Sequence, residues 1–190
     1  MTAVTAVKIV GIGGSLSPRS SSLRALATAL GGAEAAGAET EVLDVRELDL
    51  PFFETRTEEK PPDAVRLCDA VHAADGLIWS SPLYHGTVSG SFKNVLDWLE
   101  LLADRDPPYL TNKVVGLIAA AGGGHGLQAV NTMEFVVRAL RGWAVPLVVP
   151  IAQAFRAFDE EGRPLDARLD RQLRGLGAEV VRAAGRLAAA

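Results

Sequence analysis

The chain has 190 residues, of which 48% are hydrophobic and 22% charged, and it carries a formal net charge of −4 at pH 7. That length suffices for a substantial core in one domain, expected over residues 1–190, and the mildly acidic balance gives no electrostatic case for nucleic acid. The single cysteine, Cys68, excludes an intramolecular disulfide, and His72, His85 and His125 lack metal-site spacing, so no metal is expected.

Val7, Ile9, Val10 and Ile12 form a β-branched run bounded by glycine, the pattern of a buried strand. Leu23, Leu26, Ala27 and Leu30 then recur at helical spacing, predicting a helix over roughly 20–36. The stretch between them, Gly11 to Ser22, therefore joins a strand end to a helix start, where free N–H groups and the helix dipole favour an anion. Leu16 stands where a dinucleotide fingerprint needs its third glycine, and no Gly-Lys-Ser/Thr follows, so neither common phosphate loop fits. What remains is Ser15, Ser17, Ser20, Ser21 and Ser22 around one cation, Arg19, a set suited to a terminal monophosphate. One serine could serve only as a helix cap; five around an arginine point to a ligand.

Thr40, Val42, Leu43 and Val45 predict a second strand on the edge side, followed by an aperiodic loop, residues 46–62, with Pro51, Phe52 and Phe53. Asp63 starts a helix carrying Val65, Cys68 and Val71 on one face, with the thiol read as buried. Residues 76–81 predict the third strand, and Ser80 to Gly90 again leads from a strand end into a helix. On that helix Val88, Phe92, Val95, Leu96, Leu99 and Leu102 share one stripe, while Trp98 and Leu101 lie off it. A second apolar strip predicts contact with another subunit through the 88–102 helix. Lys113 to Ala121 reads as a central strand buried on both faces. Gly122, Gly123 and Gly124 follow it, and three adjacent glycines are explained by backbone that must approach a flat ligand. A helix with Val130, Met133, Val136, Val137 and Leu140, a strand at 145–149, a polar connection at 150–164 and a last helix with Leu165 to Val180 complete the chain.

Strand and helix patterns alternate five times, which predicts a three-layer, doubly wound parallel sheet of five strands, with ligands beyond the C-terminal strand ends. No apolar stretch approaches membrane-spanning length and the N-terminus lacks a basic region followed by an apolar run, so a cytoplasmic location is expected.

From about residue 7 to residue 150 the sequence resembles the NADPH-dependent FMN reductase family of flavodoxin-like proteins. The marks are Gly14-Ser15-Leu16 with its serine-rich continuation, Ala74-Asp75-Gly76, Ser81-Pro82-Leu83-Tyr84 continuing to Ser89-Gly90, and Lys93-Asn94-x-x-Asp97-Trp98. The resemblance implies the flavodoxin-like strand order 2-1-3-4-5, FMN as cofactor and NADPH or NADH as donor. It places Ser15, Ser17, Arg19, Ser20, Ser21 and Ser22 around the FMN phosphate, Pro82, Leu83, Tyr84 and His85 beside the flavin ring and ribityl, and Gly122 to Gly124 at the pyrimidine edge. Lys93 and Asp97 look like a structural and interface pair, and a homodimer or homotetramer is implied. No catalytic side chain is expected, since the cofactor carries the difficult step and His85 reads as site wall. The helix starting near Ser20 is expected to close the phosphate end, favouring FMN over FAD. The acceptor would be a quinone, an azo compound, a metal oxyanion or a partner monooxygenase. A flavodoxin-like electron carrier that uses no pyridine nucleotide is the competing reading.

Overall fold

The structure, a computed structural model, describes residues 6–56 and 59–188. Its strands are β1 (Lys8–Gly13), β2 (Glu39–Asp44), β3 (Gly76–Tyr84), a two-residue β4 (Thr87–Val88), β5 (Val114–Ala120) and β6 (Trp143–Ile151). The helices are α1 (Ser21–Ala35), α2 (Pro62–Ala73), α3 (Gly90–Trp98), α4 (Gly126–Ala139) and α5 (Ala167–Ala188). The main sheet runs β2-β1-β3-β5-β6 and is parallel at every step. Once β4 is counted separately, this is the expected order 2-1-3-4-5.

The burial of each strand follows its place in the sheet. All seven residues of β5 are buried, as a central parallel strand covered on both faces requires. The two outer strands, β2 and β6, are only partly buried, with exposed and half-buried positions among the buried ones. One face of the sheet carries α1 and α5, where Ala25, Leu26 and Ala29 pack with Leu173, Leu176 and Val180. These helices cross in close contact: a Cβ at Gly177 would lie 1.9 Å from the Ala29 carbonyl oxygen, so only glycine fits there. The other face carries α2, α3 and α4 through Leu67, Val71, Phe92, Val95, Val130 and Met133. The layers hold α1 with its N-terminus at the C-terminal end of β1, and the loops after β1, β3 and β5 lie at one edge of the sheet.

Three expectations change. The chain does not pass directly from β3 into a helix: it turns back through His85 and Gly86 to pair Leu83 with Val88 and Tyr84 with Thr87. His85 (φ 50°) and Gly86 (φ 85°) both have positive φ, which makes a two-residue type I′ hairpin. The 88–102 helix divides into α3 and a 3-10 turn, Leu99–Leu102. Trp98, expected to face another subunit, is 1% exposed. Its ring meets Phe53 edge-on at 5.2 Å and its Nε1–H donates to the Pro51 carbonyl at 2.9 Å. Pro51 and Phe53, from the aperiodic segment after β2, therefore lie over α3 and take the place assigned to a partner chain. Asn94 fastens the same loop, accepting from Phe53 N–H and donating to the Pro51 carbonyl. What α3 turns outward is polar, with Lys93 Nζ 2.5 Å from Asp97 Oδ1.

Candidate functional site

Loop 14–20 is held from three sides. Gly14 N–H donates to the Ser80 carbonyl on β3, and the Gly14 carbonyl accepts from the hydroxyls of Ser89 and Ser91 at the start of α3. Gly14 itself touches Phe92, since a Cβ there would lie 2.7 Å from that ring. Ser20 caps α1 by accepting from Leu23 N–H at 3.1 Å, and its hydroxyl pairs with that of Ser22 at 2.8 Å. Ser80 Oγ donates to the Ser22 carbonyl at 2.7 Å, and Ser21 Oγ donates to the Ala154 carbonyl at 2.8 Å. Part of the serine cluster thus serves the fold, as a cap and as braces to β3 and to the segment after β6. The Ser21 and Ser22 N–H groups belong to the first turn of α1, where an α-helix supplies no carbonyl partner, and an anion at that end would meet them.

These braces surround a cavity of about 200 Å³ at the C-terminal edge of the sheet. Its walls include Ser15, Ser17, Arg19, Ser20, Ser21 and Ser22 from the first loop, Pro82, Leu83 and Tyr84 from the end of β3, and Gly122 after β5. Ten of the thirteen site residues expected from sequence therefore line one cavity. His85 sits at the exposed hairpin tip, and Gly123 and Gly124 are exposed beyond the cavity rim. Ala120, Ala121, Ala154 and Phe155 complete the walls and were not expected. The alanines carry no chemical signal in a sequence; Phe155, an aromatic just after β6 that the structure leaves 74% exposed, was a visible hint.

The residues present fit a flat phosphorylated group. Gly122, Gly123 and Gly124 have no positive φ, and a Cβ at any of them meets nothing within 4 Å. The fold does not need glycine at these positions, whereas a ring lying against the backbone does. Arg19 makes no hydrogen bond or ion pair with the described residues, so its charge is free for a ligand. The phosphate end, expected to be closed by α1, borders a further space. Arg19, Ser21, Ala154 and Phe155 also wall a second cavity of about 520 Å³, completed by Arg24, Phe158, Asp159 and Glu160.

The NADPH-dependent FMN reductase family model matches residues 7–156. The chain belongs to that family. Among the similar curated proteins of this oxidoreductase family is the NADPH-dependent FMN reductase ArsH of Shigella flexneri, 32% identical over 83% of this chain and 60% of that protein. Another is the FMN-dependent NADPH-azoreductase of Staphylococcus aureus, 33% identical over 65% of each chain. The chain spans roughly half to two thirds of the length of the curated relatives it matches. Among solved structures the fold is similar to the flavoenzyme NAD(P)H:(acceptor) oxidoreductase FerB of Paracoccus denitrificans, with TM-score 0.78 at 18% identity over 95% of this chain and 98% of that one. A WrbA-like flavodoxin from Agrobacterium tumefaciens is similar at TM-score 0.65, 17% identity, over 96% and 99% of the two chains. Both likenesses show the fold: a three-layer, flavodoxin-like α/β sheet. Among the described residues no helix is long and apolar enough to cross a membrane, and no cluster of His, Cys, Asp or Glu could hold a metal ion.

Proposed function

We propose that the chain is an NAD(P)H-dependent FMN reductase whose cofactor lies in the cavity formed by the loops after β1, β3 and β5. The observation that carries this reading is the joining, around one cavity, of Arg19, unpaired among the described residues, the N-terminus of α1 and a glycine, Gly122, that the fold itself does not require. Arg19 and the first-turn N–H groups hold the phosphate, Pro82, Leu83 and Tyr84 border the flavin, and the main chain at Gly122 to Gly124 lies along its pyrimidine edge. Bound FMN supplies the redox chemistry, taking a hydride from NADPH or NADH and passing electrons onward. The chain's own task is then binding and orientation, and none of its residues acts as a general base. His85, at an exposed hairpin tip, is part of the rim.

The acceptor is a small redox molecule, and the relatives named as azoreductases make azo compounds the first to try, ahead of metal oxyanions, quinones or transfer to a partner monooxygenase. The test is NADPH oxidation by purified protein with and without added FMN, followed by decolourisation of an azo dye. FMN-dependent consumption of NADPH supports the reading. FMN binding without consumption of either NADPH or NADH refutes it in favour of a flavodoxin-like electron carrier.

A further inference from the structure

The cavity beyond the phosphate end has a composition of its own. Arg24 donates to the main-chain carbonyls of Asp159 (3.0 Å) and Glu160 (3.4 Å), so no carboxylate neutralises it. The Asp159 carboxylate is engaged elsewhere, accepting from Arg163 N–H and Nε at 2.8 Å each. Two guanidinium groups, Arg19 and Arg24, thus face the cavity against one uncommitted carboxylate, that of Glu160. Phe155 stands between the two cavities with its ring 74% exposed, on a short turn that Ser21 fixes through the Ala154 carbonyl. A cavity of about 520 Å³ that presents two guanidinium groups beside an exposed aromatic ring suits an anion carrying a flat heterocycle, which the ring can stack against.

We propose that this second cavity takes the adenosine 5′-phosphate half of a dinucleotide. The two cavities share Arg19, Ser21, Ala154 and Phe155 as walls, so a ligand whose phosphate lies at Arg19 and is extended by an adenylate would reach from one into the other. FAD is such a ligand, and NADPH carries the same moiety. The proposal rests on the reading of the first cavity as the FMN site.

The experiment titrates apoprotein with FMN and with FAD by flavin fluorescence, and measures KM and kcat for NADPH on FMN-loaded protein, for wild type, Arg24→Met and Phe155→Ser. Circular dichroism and thermal melting show that each variant is folded. If the adenylate belongs to FAD, wild type binds FAD within about tenfold of FMN, and both variants lower the ratio of FAD to FMN affinity by about tenfold or more. If it belongs to NADPH, the ratio stays level while Arg24→Met raises the KM for NADPH about tenfold with kcat unchanged. The proposal is overturned if folded variants alter neither quantity, or if Arg24→Met weakens FMN and FAD alike. Failure of wild type to bind FMN at all would instead refute the proposed function, so the two failures are distinct.

Discussion

Gly122→Ala separates what the fold needs from what the ligand needs. Gly122 lines the 200 Å³ cavity, its φ is not positive, and an added Cβ meets no atom within 4 Å. With no clash to relieve, the substitution acts mainly by restricting the unfolded chain and should stabilise the apoprotein by about 0.4–1 kcal/mol. The same methyl group would stand between the main chain and a ring packed against it, and overpacking of that kind costs about 1–3 kcal/mol. Affinity for FMN should then fall about 5- to 150-fold. Urea unfolding of apoprotein and fluorescence titration with FMN read the two effects. Gly14→Ala is the contrast: its Cβ would lie 2.7 Å from Phe92, so it should lower stability by about 1–3 kcal/mol before any ligand is present. If Gly122→Ala destabilised the apoprotein and left FMN affinity unchanged, the glycine would serve the fold, and the reasoning that places the flavin beside it would be refuted.

Arg19→Ala should weaken FMN by about 1.5–3 kcal/mol and riboflavin hardly at all, because only FMN presents the phosphate that a charge-assisted contact would hold; equal weakening of both in parallel titrations would remove Arg19 from the phosphate. Trp98→Ala should cost about 3–5 kcal/mol of stability through the cavity left against Phe53, while light scattering gives the same mass for the folded protein as for wild type. A lower mass with unchanged stability would restore Trp98 to a subunit interface. Cys68, 1% exposed and donating to the Trp98 carbonyl at 3.4 Å, has its thiol pushed up to about 12 by burial. Because its folded pKa lies above the ordinary value of 9.0, this contribution to stability is intact below pH 9.0 and is lost as pH rises towards about 12. At pH 8 a thiol reagent should modify the native protein only on the unfolding timescale, and immediately in denaturant; rapid native labelling would contradict the burial.

The architecture was legible because each strand and helix announces itself locally. The apolar run of β5 and the 3.6-residue spacing of α1, α4 and α5 are set by sheet burial and by one buried helix face, and both leave their period in the sequence. The ends of β6 were less legible, since Pro146 and exposed Trp143 suit an edge strand but interrupt the apolar run. Trp98 was misread for a different reason. Its cover comes from Pro51 and Phe53, more than forty residues away in an aperiodic loop, and only the folded chain brings them together. The hairpin at His85-Gly86 was hidden because a non-glycine residue takes positive φ at its first turn position. In the site, serines, arginine and glycines carry donors, charge and backbone access, and these are readable; the side chains of Ala121 and Ala154 contribute only shape, and their main-chain bonds leave no mark in the sequence. The second cavity escaped notice because its cations, Arg19 and Arg24, lie on one side of α1's start and its far wall comes from residues 155–160.

The central claim is that the chain passes reducing equivalents from NADPH to an FMN held by the loops after β1, β3 and β5. Anaerobic stopped-flow mixing of FMN-loaded protein with NADPH, read at the visible flavin band, tests it without reference to the final acceptor. The account predicts bleaching of the whole band, at one NADPH consumed per bound FMN. A band that stays unbleached with FMN demonstrably bound would contradict it.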